Sequence, residues 1–133
     1  MNQATQTRPP RVLKVVRVSA TPAAMRALET AHGSEDGAYL WIDATLTRFK
    51  GGDWGMTSRA TDEGEPNDWK LNDAATWDGS RIVAAYALTG RPAELEAAKT
   101  DAPVQTVWII ADATEDEEGE APRRATILLP SDC

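Results

Sequence analysis

The clearest pattern of apolar and polar positions in the chain runs over Ala38–Phe49. Alternate residues there fall into two sets: Leu40, Ile42, Ala44 and Leu46 in one, and Tyr39, Trp41, Asp43, Thr45 and Thr47 in the other. A period of two is the spacing of a β-strand, because successive side chains of a strand point to opposite faces of a sheet. The pattern therefore predicts a strand with one face in the core and the other facing solvent or a partner.

The preceding segment predicts a strand followed by a helix. Arg11–Val18 is short and rich in β-branched residues, which favours a strand. Thr21 is a good helix N-cap, Pro22 suits the first helical position, and Gly33 lies where a left-handed residue would end the helix. His32, in the last turn, interacts favourably with the carbonyl end of such a helix, so we assign it a structural role rather than a catalytic one.

After the alternating segment, the chain is expected to turn back. Lys50–Asp53 has the length of a hairpin connection, and it predicts a returning strand through Trp54, Met56 and Ser58. Thr61–Asp68 is rich in acidic and loop-forming residues, so its composition predicts a loop.

A second hairpin is predicted further on. Trp69–Trp77 alternates in the manner of a strand, Asp78 and Gly79 form a turn signal, and Arg81–Leu88 continues as an apolar strand. A short helix over Asn72–Trp77 is the alternative, because Asn and Asp can cap one.

The last third of the chain predicts one helix and two strands. Gly90–Thr100 has a proline near its start and a helix-forming composition. Val104–Ala111 and Arg124–Leu129 are apolar and are expected to pair as antiparallel strands, with the acidic segment Thr114–Ala121 at their tip.

This order of elements predicts an α+β fold. Consecutive hairpins indicate a mostly antiparallel, twisted sheet of about six or seven strands. The N-terminal amphipathic helix is expected to cover one face of that sheet, with one short second helix elsewhere. Residues 1–10 are polar and end in two prolines, so we expect a flexible tail there and a single domain over residues 11–133.

Composition excludes several classes of protein. The chain has 133 residues, and no apolar run approaches the ~20 residues of a membrane span. Met1–Pro10 lacks the apolar core of a signal peptide, so we expect a cytoplasmic protein without a membrane partner. One cysteine, Cys133, and one histidine, His32, leave no internal disulfide and no Cys/His metal site. Phosphate-loop and dinucleotide motifs are missing, so no cofactor and no metal are expected.

The net charge of −7 is unevenly distributed. Residues 1–28 contain five bases and no acid, whereas residues 51–80 carry −5 and residues 112–120 carry −6. An acidic surface repels nucleic acid and attracts a basic protein surface. Acidity of this kind also serves solubility alone, which is the simpler interpretation.

Carboxylates are the remaining basis for an enzyme. Seven of them are spread over residues 43–73: Asp43, Asp53, Asp62, Glu63, Glu65, Asp68 and Asp73. They could supply an acid and base pair or a hard-cation site, but the run lacks the pattern of a calcium loop. We therefore predict no catalytic residues and keep a carboxylate-dependent small enzyme as an alternative.

Tryptophan is the more informative residue type. Four of the five tryptophans lie between residues 41 and 77, the stretch that carries these seven carboxylates. Large amphipathic rings beside carboxylates are typical of protein interfaces, where aromatic side chains supply buried area and charges steer association. Core packing is the alternative for all of them. The predicted partner-binding residues are Trp41, Asp43, Asp53, Trp54, Asp62, Glu63, Glu65, Asp68, Trp69 and Asp73.

These observations favour a small acidic inhibitor that binds another protein and occludes its positively charged, nucleic-acid-binding surface. The expected partner is a basic protein such as a nuclease or a CRISPR effector, and no direct contact with nucleic acid is expected. Phage or mobile-element anti-CRISPR and anti-restriction proteins that mimic nucleic acid have this size and acidity, although size and acidity alone carry the analogy. A toxin-neutralising immunity protein and an oligomeric structural module, such as a homodimer, are further alternatives.

Overall fold

The computed structural model describes residues 9–57, 68–100, 103–114 and 121–132. Four α-helices and four β-strands occur within these ranges. In chain order they are β1 (Val15–Ala20), α1 (Pro22–His32), α2 (Glu35–Lys50), α3 (Asp68–Asp78), β2 (Ile82–Ala87), α4 (Arg91–Thr100), β3 (Thr106–Ala111) and β4 (Arg123–Leu128). A short 3-10 helix, Pro130–Asp132, follows β4.

The four strands form one mixed sheet in the order β1-β4-β3-β2. β1 runs parallel to β4, whereas the β4–β3 and β3–β2 pairs are antiparallel. The predicted α+β class is confirmed. The predicted sheet of about six or seven strands is wrong in size, because two segments predicted as strands are helices and a third is reduced to a single bridge.

The core lies between one face of this sheet and the helices. Directly paired residues of β2, β3 and β4 share that face and are buried, among them Ile82, Ala84, Tyr86, Val107, Ile109, Ala111, Ala125 and Ile127. On the helical side, α1 packs mainly against α2 and also contacts β4. The sequence predicts that the N-terminal helix covers the sheet by itself. In the structure, α1 covers the sheet together with α2.

The boundaries of α1 confirm the capping signals. The Thr21 hydroxyl accepts a hydrogen bond from the N–H of Ala24 at 3.1 Å, and Gly33 takes the left-handed conformation with φ of 82°. His32 Nε2 donates to the carbonyl of Leu88 at 2.8 Å, so the imidazole links the end of α1 to the residue after β2.

Residues 38–49 form most of α2, and the predicted strand is wrong. Five buried residues recur at helical spacing: Ala38, Trp41, Ile42, Thr45 and Phe49. Ser34 caps the helix by accepting a hydrogen bond from the N–H of Gly37 at 2.9 Å, and Glu35 and Asp36 stabilise its first turn. Leu40, which the alternating pattern assigns to the core, is exposed.

The predicted hairpin over residues 69–88 is also wrong in its first half. Trp69–Trp77 lies within α3, in agreement with the alternative of a helix over Asn72–Trp77. Gly79, with φ of 82°, follows the end of this helix instead of turning between two strands. The predicted strand at residues 54–58 is reduced to one parallel bridge between Gly55 and Ala85, and Ser58 lies outside the described residues.

The remaining elements follow the sequence closely. β2, α4, β3 and β4 begin and end within a residue or two of their predicted bounds, and β3 pairs with β4 in the predicted antiparallel sense. β1 begins later than predicted, at Val15. Residues 1–8 of the predicted tail, residues 61–67 of the predicted loop and residues 115–120 of the acidic tip lie outside the described residues.

Candidate functional site

A cleft of about 710 Å³ opens between the end of α2, the segment 51–57 and α4. Its walls combine charged and aromatic side chains, including Arg48, Asp53, Trp69, Arg91 and Glu94. Clefts of this size that bring together a few charged groups are the usual first candidates for a binding or catalytic site.

Arg48 is the centre of this cleft because it pairs with two carboxylates. Its Nε donates to Asp53 Oδ2 at 2.9 Å, while Nη2 and Nη1 donate to the two oxygens of Glu94 at 2.6 and 3.0 Å. The guanidinium also lies 5.0 Å from the ring centroid of Tyr86. Arg48 is in the last turn of α2 and Glu94 in the first turn of α4, which are the positions where each charge favours its own helix.

These contacts keep Arg48 and Asp53 ionised. Hydrogen bonding to Glu94 raises the pKa of Arg48, and Asp53 adds to that effect. For Asp53 the largest single influence, partial burial, raises the pKa, but the hydrogen bonds from Arg48 and the Gly55 N–H outweigh it and hold the pKa below its usual value. A carboxylate held in this way is a poor proton donor near neutral pH.

Tyr86 does not supply the missing acid–base chemistry. Its hydroxyl donates to the backbone carbonyl of Asp53 at 2.6 Å. Burial, with the Asp53 carboxylate as the next contribution, raises the pKa of Tyr86 far above its usual value, so the phenol stays protonated. The arrangement favours a structural role for the charged cluster over catalysis.

The same cluster takes part in covering the outer edge of β2. Alternate residues of an edge strand turn their N–H and C=O groups away from the sheet. In β2 these outward groups are hydrogen-bonded to other parts of the chain. The Val83 carbonyl accepts from Asn72 Nδ2 at 2.8 Å, and its N–H donates to Asn72 Oδ1 at 3.4 Å. Two residues on, the Ala85 N–H donates to the Thr57 hydroxyl at 3.1 Å, and its carbonyl accepts from the Met56 N–H at 2.6 Å.

Ala87 completes the series. Its N–H donates to Glu94 Oε2 at 3.1 Å, and its carbonyl accepts from Trp41 Nε1 at 3.2 Å. All six outward-facing backbone groups at these three positions are thus hydrogen-bonded. Glu94 joins this edge to the cleft, because the oxygen that accepts from Ala87 also accepts from Arg48.

Two of the predicted partner-binding residues belong to the core. Trp54 is fully buried and meets Phe49 edge to face, with ring centroids 5.4 Å apart. Trp41 is 6% exposed and is hydrogen-bonded to β2. The strand prediction places Trp41 on a polar face, but the helix turns it inward. Both rings therefore pack in the core, which is the alternative that the sequence allows.

Three more predicted residues are wholly or partly engaged within the chain. Asp53 pairs with Arg48, and the carboxylate of Asp73 accepts a hydrogen bond from Trp54 Nε1 at 2.8 Å. Trp69 is half-buried in the wall of the cleft. These side chains lie around the loop that follows α2 and do not form an exposed acidic surface.

Only two of the predicted residues are exposed acids within the described ranges. Asp43 is exposed on α2, and Asp68 is exposed at the start of α3. The structure does not bring all ten predicted residues to one surface. Three of them lie outside the described residues: Asp62, Glu63 and Glu65.

Beside the predicted Asp43, the outer face of α2 carries residues that were not predicted to bind a partner. Tyr39 and Leu40 are 51% and 70% exposed, and two exposed acids, Asp36 and Asp43, lie on the same side of the helix. At 100° per residue this side is opposite to the five buried positions. Ser34 followed by two acids was the signal for this helix, since that is a helix start.

Among the described residues, no helix combines the length and apolarity needed to cross a bilayer. Within the same ranges, no group of three or more His, Cys, Asp or Glu side chains is arranged to hold a metal ion. Comparison with protein-family models, with curated proteins and with solved structures finds no match to this chain.

Proposed function

We propose that this chain is a non-catalytic binding protein that occludes a basic, nucleic-acid-binding surface of a partner protein. The observation that carries the proposal is the outer face of α2, defined here by Asp36, Tyr39, Leu40 and Asp43. It combines exposed apolar area with exposed acids on one helix. The sequence predicts this combination around the tryptophans instead.

The geometry of this face suits a protein partner. Asp36 and Asp43 are seven residues apart and lie near its middle, and Tyr39 and Leu40 flank them on either side. No Lys or Arg occurs in α2 before Arg48, so the face is uniformly acidic. Aromatic and aliphatic anchors beside charges of one sign give affinity through burial and a fast encounter through electrostatic attraction.

The cleft supports the non-catalytic part of the proposal. Its two carboxylates, Asp53 and Glu94, both bind Arg48, and Glu94 also supports β2. An enzyme that uses paired carboxylates needs one of them as a proton donor, and neither is arranged for that purpose. The carboxylate enzyme is therefore the weaker candidate.

The partner class can be tested with purified proteins. Restriction nucleases and CRISPR effectors would be assayed for DNA cleavage while the wild-type chain is titrated in at low and at physiological salt. We expect inhibition of at least one nuclease, with an affinity that falls as salt rises, because the attraction is electrostatic. A chain that neither binds nor inhibits any basic nuclease at low salt contradicts the proposal.

Variants locate the surface. Asp36→Lys with Asp43→Lys, and separately Tyr39→Ala with Leu40→Ala, should each weaken inhibition by about tenfold or more. Glu96→Lys is the matched control, since Glu96 is an exposed acid on α4. Reversal of Asp62, Glu63, Glu65 and Asp68 to Lys tests the surface predicted from the sequence instead. Loss of inhibition in that variant alone would move the site away from α2.

A further inference from the structure

The edge of the sheet formed by β1 is open. β1 is the terminal strand, with β4 on one side, and within the described ranges no strand pairs with its other side. Four of its six residues are exposed, including Val16 at 67% and Val18 at 40%. A strand in this position presents backbone N–H and C=O groups and apolar side chains to any extended chain that approaches it.

The charge around this edge is positive. Lys14 and Arg17 are exposed on and beside β1, and Arg124 of the neighbouring strand has a side chain that is 68% exposed. Arg124 forms an ion pair with Asp112 that is long, at 4.0 Å. The first acid in the chain is Glu29, so β1 and the residues leading to it contain none.

We propose that β1 is a second binding surface, which takes an acidic extended segment of another protein as an added strand. Backbone hydrogen bonds to β1 would supply the affinity, as in other cases where a peptide extends a sheet. Val16 and Val18 would contact apolar side chains of that segment, and Lys14 and Arg17 would select acidic ones. This surface differs in charge and location from the outer face of α2, and it does not depend on the proposed function.

A second copy of the chain is the less favourable occupant. Pairing β1 with β1 would bring Lys14 and Arg17 of both copies to the same edge, where like charges repel. Lysine and arginine on an edge strand are a common means of preventing self-pairing. An acidic partner removes this repulsion and replaces it with attraction.

The test uses a synthetic peptide of alternating Glu and Val and the full-length protein. Binding would be followed by the amide NMR signals of the protein at low ionic strength. We expect shifts concentrated in Val15–Ala20, with slower hydrogen exchange of alternate β1 amides. The same peptide, N-methylated at every residue, keeps its charges but loses the backbone donors of both its edges, and we expect its binding to fall at least tenfold.

Charge variants complete the test. Lys14→Glu with Arg17→Glu should weaken binding of the peptide by about tenfold, because attraction becomes repulsion. Arg81→Glu, an exposed base beside the opposite edge strand, is the control and should change binding little. Equal binding of the N-methylated peptide, shifts centred outside β1, or an absence of binding at millimolar peptide would overturn the proposal. Self-association of the wild-type chain through β1 would also overturn it, since the occupant would then be a second copy.

Discussion

The two edges of the sheet are built in opposite ways. At β2, three alternate residues have every outward backbone group hydrogen-bonded, and the partners come from α2, α3, α4 and the segment after α2. At β1, most side chains are exposed, and its one charged residue, Arg17, is basic. Both strands have six residues and belong to one sheet, so the difference lies in what surrounds them.

The comparison indicates which groups of the cleft stabilise the fold. Closing an edge needs side chains from several elements, and the charged residues of the cleft serve that purpose. Leaving an edge open carries a risk of aggregation, which exposed Lys and Arg reduce. We infer that the acids in the cleft are structural, whereas both proposed binding surfaces are exposed and lie elsewhere.

The largest loss of stability should come from truncating Trp54, the buried side chain beside the β2 edge. Trp54 directly precedes Gly55, which forms the bridge to β2, and its ring is fully buried. Trp54→Ala should lower the free energy of unfolding by about 3–5 kcal/mol, because it opens a cavity and leaves Asp73 without its donor. Urea unfolding followed by fluorescence or circular dichroism measures this change.

Trp54→Phe separates the two contributions. Phenylalanine keeps most of the apolar volume and the contact with Phe49, but it cannot donate to Asp73. We expect a smaller loss than for Trp54→Ala. Equal losses in the two variants would mean that the hydrogen bond, not the packing, holds this segment against β2.

A smaller loss is expected from the side chain that closes the edge directly. Asn72→Ala leaves the N–H and C=O of Val83 without their partner, which should cost about 1–3 kcal/mol. Leu71→Ala is the matched control, because Leu71 is the adjacent residue of α3 and is exposed. Its effect should stay within about 0.5 kcal/mol. Similar losses in both variants would show that the edge does not depend on Asn72.

The ion pair between Arg48 and Asp53 should make stability depend on pH in the acid range. The pKa of Asp53 is lower in the folded state than its ordinary value of about 3.9. Its contribution is therefore complete above that value and disappears as the pH falls through the folded-state pKa. The free energy of unfolding should fall between pH 7 and about pH 3 in both proteins. We expect this fall to be smaller for Asp53→Asn than for the wild type. An unchanged pH dependence in the variant would contradict this role.

The smallest change in stability is expected at the open edge. Val16→Lys replaces an exposed side chain on β1 and should alter the free energy of unfolding by less than about 0.5 kcal/mol. A loss comparable to that of Asn72→Ala would mean that β1 is covered in solution.

Local signals predicted part of this fold. The N-cap Thr21 and the left-handed Gly33 define α1 because both act within a few residues of themselves. The apolar strands β2, β3 and β4 were also evident, since their side chains are largely buried. The parallel pairing of β1 with β4 was not predictable in this way, because it joins segments at opposite ends of the chain.

The error at α2 has a specific cause. The alternating pattern assigns Leu40 to the core and Trp41 to the polar face, whereas Leu40 is exposed and Trp41 is buried. The helix instead begins with the cap Ser34 and buries five residues at helical spacing. Starting the pattern at Ala38 left out this cap. The error at α3 is similar, because Trp69–Trp77 fits both periods and only the tertiary contacts of Asn72 and Thr76 select the helix.

The candidate site was less predictable than the fold. Acids and tryptophans that are close in sequence suggested one surface. Instead, Asp53 pairs with Arg48, and Arg48 pairs with Glu94, which is 46 residues away in sequence and also binds β2. Such long-range pairs leave no local pattern. The exposed residues of α2 became visible only once its helical geometry was known.

Hydrogen exchange of the backbone amides tests the central comparison most directly. If one edge is closed and the other open, the amides of Val83, Ala85 and Ala87 should exchange as slowly as those of β3. Alternate amides of β1, which face away from β4, should exchange at least an order of magnitude faster. Uniform protection across β1, or rapid exchange at those three positions of β2, would contradict this account.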